Sequence, residues 1–437
     1  MGKEITPDSG EKWYRKDIDP ILGYAPGAII SDEINDFRSA ETAWKVILDR
    51  YKTHGYDAVH NLMGLTDNCE TPDFFNGPEF RERYLATALA KEKLETLAKE
   101  HLGGNQDHSV LALNRTGAAN VTLMAALVPP GSTVPYLVPE FPGVDFGHGH
   151  PSIPRGVEFA GGKVKLVNSA ATLQQVLADD GNVPLIAICA SYRGIVSEED
   201  IRKTCKIAHE KGIPVFLDDA SGARTRIIVY GQAPGIEMGV DIVVTSCEKF
   251  GLEGPRAAVM VGRKDLMLKI GAKANLLGTE ARPSIVAAMV KALSDYDPEI
   301  VKGKFDYWAS RHKNILSLAQ EKLNDSRICT GGVFGVHVTM DDIMEMTMEM
   351  AGIDEIDLAP VDVSMTHAMF MLKDTGMMTV TNLHYPGAVK IPTVRVNALK
   401  TPLEDEAIAE GFVTAIYKTA ENISDKSKLE KILFEAN

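Results

Sequence analysis

The stretch that decides the fold is Asp241-Ile-Val-Val-Thr-Ser-Cys-Glu-Lys249-Phe-Gly-Leu-Glu-Gly-Pro-Arg256-Ala-Ala-Val-Met-Val-Gly262. Its apolar run at 242–244 predicts a buried strand of a parallel sheet. Two glycines and a proline then predict a turn-rich loop, and 257–261 predicts the next strand. Lys249 therefore stands at the carboxyl end of a buried strand. A lysine there is either a hydrated surface cation or, in a dry cleft, a nucleophilic amine.

The composition is that of a globular enzyme. The chain has 437 residues, of which 45% are hydrophobic and 24% charged. No run approaches the ~20 apolar residues that a transmembrane helix needs, and the N-terminal segment lacks an apolar signal core. A cytoplasmic protein is therefore expected. The formal net charge of −14 disfavours non-specific binding to nucleic acid or to anionic membranes.

The five cysteines are scattered without a C-x-x-C pair, which excludes a disulfide framework and a common zinc motif. Two histidines, His148 and His150, stand two positions apart in a loop rich in glycine and proline. No third metal ligand is identifiable beside them. Either imidazole could instead stack on an aromatic ligand, or both could belong to a solvated loop.

Strands and helices alternate in the middle of the chain. Strands are predicted at 164–167, 184–190 and 213–217, with helices between them, so the sheet is expected to be mainly parallel. We predict three parts: an N-terminal arm (1–55), a large α/β domain (56–300) and a smaller C-terminal α/β domain (301–437).

An anion site is predicted between a strand at 110–113 and an Ala- and Leu-rich helix. The turn contains Thr116, Gly117 and Ala118, whose backbone N–H groups would lie at a helix N-terminus. No Walker lysine or G-x-G-x-x-G accompanies it, so a nucleotide site is not indicated. A compact strand–helix junction without a ligand is the alternative.

Asp218 directly ends the apolar run 213–217 and precedes Lys249 by 31 positions (249 − 218). A carboxylate at a strand end is often a helix cap. Combined with a lysine on a neighbouring strand and a phosphate cradle, it indicates a pyridoxal phosphate (PLP) site, where an acid keeps the pyridine nitrogen protonated. We favour Asp218 over Asp219 because it directly ends the strand.

The order of these features resembles the fold-type-I, aspartate aminotransferase-like PLP enzymes over roughly 60–420. Within that superfamily the chain is similar to selenocysteine synthase and its archaeal relatives. The segments that carry the similarity are Ser191-Tyr-Arg193-Gly, Pro214-Val-Phe-Leu-Asp218-Asp-Ala-Ser-Gly222 and Ser246-Cys-Glu-Lys249-Phe-Gly-Leu-Glu-Gly-Pro-Arg256. The acidic charge, the lack of an evident basic tRNA-binding domain and the altered glycine spacing after Lys249 depart from selenocysteine synthase.

The resemblance implies a role for each candidate residue. Lys249 would be the Schiff-base lysine, and Asp218 the partner of the pyridine nitrogen. Arg395, in a predicted strand at 390–397, would clamp the substrate carboxylate. Arg193 and Arg282 are candidate contacts for a phosphorylated leaving group, and pairing of either with surface acids is the alternative. The remaining cofactor contacts would come from Thr116, Gly117, Ala118, His148, Ser191 and Ser246.

The expected activity is β-elimination or β-replacement on an amino acid or amino-acid derivative. An aminotransferase, a cysteine desulfurase-type lyase and an enzyme acting on aminoacyl-tRNA remain alternatives. For the desulfurase, Cys247 is a poor candidate nucleophile because it stands beside Lys249. The segment 279–283 resembles segments that reach a neighbouring active site, so a homodimer or larger homo-oligomer with shared sites is expected.

Overall fold

The computed structural model describes residues 18–19, 21–138, 149–191, 194–330, 332–383, 390–396 and 401–436. These residues form two compact units. The sheet unit comprises 65–304, and the terminal unit comprises the described parts of 1–64 and 305–437. The N-terminal segment, which the sequence predicts to be an arm, thus shares a unit with the C-terminal part of the chain.

The elements are given in chain order. The described strands are β1 (His60–Asn61), β2 (His108–Leu113), β3 (Thr133–Leu137), β4 (Lys163–Val167), β5 (Ile186–Cys189), β6 (Val215–Asp218), β7 (Ile242–Ser246), β8 (Ala258–Arg263), β9 (Cys329–Thr330), β10 (Val336–His337), β11 (Met377–Met378) and β12 (Thr393–Val394). The described α-helices are α1 (Glu33–His54), α2 (Arg83–Leu102), α3 (Thr116–Leu127), α4 (Ser152–Phe159), α5 (Ala170–Asp179), α6 (Glu198–His209), α7 (Gly222–Tyr230), α8 (Lys264–Leu277), α9 (Pro283–Ser294), α10 (Pro298–Leu323), α11 (Met340–Ala351), α12 (Pro360–Thr375), α13 (Val380–Leu383), α14 (Asp405–Asn422) and α15 (Lys426–Phe434).

A seven-stranded sheet organises the sheet unit, in the order β2-β8-β7-β6-β5-β3-β4. The pairs among β3 to β7 are parallel, whereas β8 runs antiparallel to both β2 and β7. The reversal at β8 follows from the connection, because residues 247–257 return the chain without a crossover helix. The expectation of an α/β fold with a mainly parallel sheet is confirmed.

The central strands are buried on both faces, which explains their continuous apolar runs. Every residue of β7 is buried. Side chains alternate between two hydrophobic clusters: Val243 and Leu217 lie in one, and Val244 and Phe216 in the other. This burial fixes the register, since a shift by one residue would exchange the two sets.

The terminal unit contains a three-stranded antiparallel sheet, β12-β10-β9, and a short parallel pair, β1-β11. Among the described residues, the strand predicted at 390–397 is limited to β12 and is therefore shorter than expected. Position 397 lies outside the described residues. No helix in the described part of the chain is long and apolar enough to span a membrane.

Buried polar contacts hold the N-terminal segment within the terminal unit. The Asp362 carboxylate accepts hydrogen bonds from the backbone N–H groups of Ala28, Ile29 and Ile30 at 2.9, 3.2 and 2.8 Å. Lys390 Nζ lies 2.8 Å from Asp36 Oδ1, and both side chains are fully buried. The helix expected at 34–51 is α1, which contacts α12 and α15 of its own chain.

Candidate active site

The carboxyl ends of β5, β6 and β7 lie side by side at one edge of the sheet. Cys189 is paired with Asp218, and Asp218 with Val244. The chain segments that leave these strands therefore begin at the same level, and they carry Ser191, Asp218 and Lys249. This edge is where open α/β sheets bind ligands.

Lys249 is fixed by the backbone around it. It forms an isolated bridge with Leu65, and its carbonyl accepts a hydrogen bond from Arg224 Nη2 at 3.1 Å. Phe250 and Gly251 follow with φ of +49° and +90°, so the chain turns sharply after the lysine. A Cβ at Gly251 would lie 2.3 Å from Val301 Cγ1, which requires glycine there. The Lys249 side chain is 15% exposed, so its amine lies in a largely dry setting.

A second carboxyl group adjoins the lysine. Glu248 Oε1 lies 4.0 Å from Lys249 Nζ, and the Glu248 side chain is almost fully buried. Burial raises the pKa of Glu248, and the positive charge of Lys249 opposes that rise. Among the described residues, Glu248 Oε2 has no hydrogen-bond partner.

Asp218 ends β6 and is held by two donors. Its Oδ2 accepts a hydrogen bond from Asn120 Nδ2 at 2.7 Å, and its Oδ1 accepts one from the Ala220 N–H at 3.2 Å. Burial raises the pKa of Asp218, while the Asn120 hydrogen bond and the charge of Lys249 act in the opposite direction. This carboxyl group is therefore poised to share a proton with a basic ring nitrogen.

A hydrogen-bonded chain leads from Asp218 to a histidine. Asn120 Nδ2 also donates to Ser152 Oγ at 2.7 Å, and Ser152 Oγ lies 2.7 Å from His150 Nδ1. Because the Ser152 N–H also points at Nδ1, at 3.3 Å, that nitrogen is an acceptor and the ring proton is assigned to Nε2. Burial, followed by the charge of Lys249, lowers the pKa of His150 to about 3, so its ring is neutral at physiological pH.

Asp219 has a different environment from Asp218. Its two oxygens accept hydrogen bonds from Arg226 Nε at 3.0 Å and Nη2 at 2.6 Å, and both side chains are fully buried. A carboxylate engaged in this way has little capacity left for a ligand. The geometry therefore favours Asp218 as the ligand-facing acid.

The predicted anion site lies at the first turn of α3. Thr116 begins this helix, Gly117 and Ala118 follow, and Arg115 occupies the N-cap position without a side-chain cap. Thr116 is 8% exposed, and its hydroxyl oxygen has no hydrogen-bond partner among the described residues. A Cβ at Gly117 would meet nothing closer than Arg115 Nε at 3.9 Å, so there is room beside the helix terminus.

Two predicted serine contacts already have protein partners. The Ser246 hydroxyl is fully buried and donates to the Ala220 carbonyl at 2.6 Å. Ser191 Oγ lies 2.9 Å from the Oγ of Ser221, the N-cap residue of α7. Ser246 thus supports the turn after β6, whereas Ser191 lies at the sheet edge.

The predicted arginines lie in different parts of the chain. Arg282 is the N-cap residue of α9 in the sheet unit. Within its own chain the preceding segment runs beside β2, with Glu280 bridged to Leu113. Arg395 belongs to the terminal unit, where its Nε donates to the Phe334 carbonyl at 3.0 Å. Arg193 and His148 lie outside the described residues.

Sequence reasoning missed the polar residues that support Asp218 and Lys249. Asn120 follows Thr116 by one helical turn, so the i, i+4 spacing could have placed both on one side of α3. No comparable spacing in the sequence indicated a role for Ser152, Arg224 or Arg226. Their roles depend on burial and on contacts between distant segments.

The chain aligns over most of its length with curated relatives. A protein of Methanothermobacter thermautotrophicus is 30% identical over 413 residues, covering 93% of this chain and 100% of the relative. A protein of Methanosphaera stadtmanae is 29% identical over 412 residues, again covering 93% and 100%. Both carry the description "UPF0425 pyridoxal phosphate-dependent protein". This chain belongs to the UPF0425 family of pyridoxal phosphate-dependent proteins. No protein-family model matches it.

Other similarities of this UPF0425 protein are partial. The L-seryl-tRNA(Sec) selenium transferase of Clostridium perfringens is 42% identical over 81 residues, which cover 17% of each chain. The resemblance to selenocysteine synthase is therefore local, whereas the UPF0425 match extends over nearly the whole chain.

Solved structures support the fold of the UPF0425 chain. Aspartate aminotransferase from Thermus thermophilus superposes with a TM-score of 0.55 at 16% identity, covering 87% of this chain and 96% of that one. SepCysS, in its complex with the SepCysE N-terminal domain, gives a TM-score of 0.51 at 17% identity, with coverages of 86% and 99%. The aspartate aminotransferase-type fold expected from the sequence is confirmed.

Proposed function

We propose that this chain is a PLP-dependent enzyme that catalyses β-elimination or β-replacement on an amino acid or amino-acid derivative. The observation that carries the proposal is the position of Lys249 just beyond the end of β7, next to the neighbouring strand β6, which ends in the buried Asp218. The amine and the acid are close enough for the charge of Lys249 to act on the pKa of Asp218. The family relationship supports the cofactor.

The residues of the sheet unit fit this cofactor. The buried Thr116 hydroxyl has no hydrogen-bond partner in the described part of the chain, and its place at a helix N-terminus suits a phosphate oxygen. Gly117 and Ala118 would add backbone N–H groups, and Ser191 would add a hydroxyl contact. Ser246, whose hydroxyl proton is engaged by the Ala220 carbonyl, would act through the turn that it supports. Asp218 would hold a proton on the pyridine nitrogen, and His148 would stack on the ring. His150, which is neutral and connected to Asp218, is a further candidate for that contact.

The protein residues direct the chemistry, while the bound cofactor supplies an electron sink for the bond that breaks at the substrate α-carbon. Lys249 would move the proton at that carbon as a general base and acid. Asn120 would keep Asp218 aimed at the ring nitrogen through its 2.7 Å hydrogen bond. Arg395 would bind the substrate α-carboxylate and so determine which bond is broken.

The local similarity to a selenium transferase supports chemistry at the substrate β-carbon. A hydroxyl or phosphate would be the leaving group. Arg193 and Arg282 would neutralise a departing phosphate through charge-assisted hydrogen bonds. Serine, O-phosphoserine and cysteine are thus the first substrates to test.

Aminotransfer is the alternative favoured by the aspartate aminotransferase-type fold, and a cysteine desulfurase-type lyase is another. The partial selenium transferase match also supports an aminoacyl-tRNA substrate. The net charge of −14 argues against that substrate, because binding to a polyphosphate would lack electrostatic support. We further propose a cytoplasmic homodimer or larger homo-oligomer.

An absorption spectrum of the purified protein tests the proposal. A visible band should appear with PLP, should shift on addition of serine, O-phosphoserine or cysteine, and should be absent in Lys249→Ala. Lys264→Ala, at the exposed start of α8, is the matched control and should retain the band. Pyruvate release with ammonia would identify β-elimination, whereas keto-acid formation with an aminated cofactor would identify aminotransfer. A Lys249→Ala protein with an unchanged band would contradict the lysine assignment.

A further inference from the structure

Cys329 and His337 oppose each other across the β9–β10 ladder of the terminal unit. Cys329 Sγ lies 3.0 Å from His337 Nε2. The histidine is 2% exposed, whereas the cysteine is half-buried. A thiol with partial access to solvent thus faces a base that water hardly reaches.

The other cysteines have surroundings that disfavour the thiolate. Burial raises the pKa of Cys189, Cys205 and Cys247 to about 12 in each case. Cys69 is exposed, and its pKa is raised by partial burial and then by the charge of Asp67. Cys329 differs because its thiol lies within hydrogen-bond distance of an imidazole nitrogen, and thiolate character governs cysteine reactivity.

The backbone fixes the distance between the two side chains. β9 and β10 are joined through a 3₁₀ turn at Gly332–Phe334. Gly335 follows with φ of +103°, and a Cβ there would lie 2.3 Å from the Val394 carbonyl oxygen. This close approach to β12 requires glycine and locks the register that brings Cys329 opposite His337.

The same sheet face carries a positive charge. Thr393 is paired with His337, and Arg395 is two residues further along, so alternation places Arg395 on the face that holds Cys329. The Arg395 guanidinium is tied to the Phe334 carbonyl in the β9–β10 connection.

The neighbouring elements contribute two more ionisable groups. His312 on α10 donates from Nδ1 to the Gly332 carbonyl and accepts at Nε2 from the Val396 N–H. Burial lowers the pKa of His312 to about 4, so its ring stays neutral above that pH. Asp341 lies in the first turn of α11, four residues beyond the end of β10 (341 − 337). A shift in thiol reactivity between pH 6 and 9 that depends on position 337 is therefore not caused by His312.

We propose that Cys329 and His337 form a nucleophilic thiolate–imidazolium pair that reacts with organic disulfides. The Cys329 thiol transfers its proton to His337 Nε2, and the thiolate attacks one sulfur of the disulfide R–S–S–R. A Cys329–S–S–R bond forms, the original S–S bond breaks, and RS⁻ leaves and takes up the imidazolium proton. The disulfide is the oxidant, so no further co-reactant is needed.

Site-resolved labelling of the full chain tests this pair. The protein is treated with 2-hydroxyethyl disulfide between pH 6 and 9, quenched in acid and digested, and the adducts on Cys329 and Cys69 are followed by mass spectrometry. Cys69 is the internal control in every sample. At pH 7 we expect Cys329 to react at least ~10-fold faster than Cys69, and the adduct to be reversed by a dithiol.

Two variants separate the base from the fold. His337→Asn and His337→Gln should lower the Cys329 rate at least ~10-fold at pH 7 and should approach the original rate at pH 9, where a thiol ionises without help. Labelling of Cys329 no faster than Cys69 in the unmodified chain would overturn the proposal. The proposal would also be overturned if both variants fold and Cys329 reacts in them at the same rate as in the unmodified chain at every pH. If neither variant folds, the comparison of the two cysteines in the unmodified chain still decides the matter. Because the experiment needs no amino-acid substrate or cofactor, its failure is distinct from failure of the proposed enzyme activity.

Discussion

Asp219 and Arg226 form a bidentate ion pair, with N–O distances of 3.0 and 2.6 Å, in a fully buried position next to the proposed catalytic acid. Two consecutive aspartates therefore have separate roles. Asp219 is bound to Arg226 in the middle of α7, while Asp218 is held at the sheet edge by Asn120. The carboxylate engaged by arginine stabilises the turn, and the other remains available to a ligand.

Asp219→Asn should be strongly destabilising. It leaves the Arg226 guanidinium buried without its counter-charge, which costs ~3–5 kcal/mol. Urea unfolding followed by circular dichroism would measure the loss. Asp218→Asn is the matched control, since it changes the adjacent residue without breaking an ion pair. Equal losses in the two variants would contradict the division of roles.

Asp218→Asn should stabilise the cofactor-free protein at neutral pH. Because the pKa of Asp218 is raised in the folded state, the folded protein binds its proton more tightly than the unfolded chain does. Wild-type stability is then fully present below the ordinary pKa of 3.8 and falls as pH rises. The melting temperature of the variant should exceed that of the wild type at pH 7, and the difference should shrink towards pH 4. The same variant should bind PLP more weakly, which a fluorescence titration would measure.

Thr116→Val should separate stability from cofactor affinity. The hydroxyl makes no hydrogen bond to any residue that the structure describes, so its replacement by a methyl group should leave the unfolding free energy within about 0.5 kcal/mol of the original. PLP affinity should fall ~10-fold, as expected for loss of one charge-assisted hydrogen bond. Thr116→Ser keeps the hydroxyl and should retain the affinity. A Val variant with unaltered affinity would remove Thr116 from the phosphate site.

His150 should lower stability at acidic pH. Its pKa is about 3 in the folded protein and 6.5 in an unfolded chain, so stability is fully present above pH 6.5 and declines as pH falls from 6.5 towards 3. His150→Asn should therefore lose less stability than the wild type between pH 7 and 5. His101, His312 and His367 also have lowered pKa values, but they are common to both proteins and cancel in the comparison. Parallel pH profiles for the two proteins would contradict the assignment.

Arg395→Ala should weaken amino-acid binding and leave PLP bound. The substrate carboxylate would lose a bidentate partner, so the apparent affinity for the amino acid should fall ~10-fold or more. Arg395→Lys keeps the charge without the planar fork and should recover part of the affinity. Titration of the visible band with the best amino acid measures both variants. Arg327→Ala, whose guanidinium pairs with Asp325 and Glu349 instead, is the control and should bind the amino acid normally.

Much of the sheet unit could be predicted from the sequence. The apolar run of β7 and the ends of β5 and β6 were recognisable because strands buried on both faces leave continuous apolar segments. The same logic located Lys249 and Asp218 at strand ends. The terminal unit was harder, because β9 to β12 are two residues long and carry almost no periodic signal.

The sequence by itself determined the class of fold and the positions of the amine, the acid and the helix N-terminus, since each follows from a local pattern of a few residues. Tertiary structure alone decided which polar groups meet. Asn120 donates a hydrogen bond to Asp218, which is 98 positions away in the sequence. Arg224 donates one to the Lys249 carbonyl, which is 25 positions away. The ion pair between Asp219 and Arg226 and the contact between Cys329 and His337 also depended on packing and register. A hydrogen bond between distant segments depends on where the chain returns after burying its apolar side chains, and no local window of sequence contains that information.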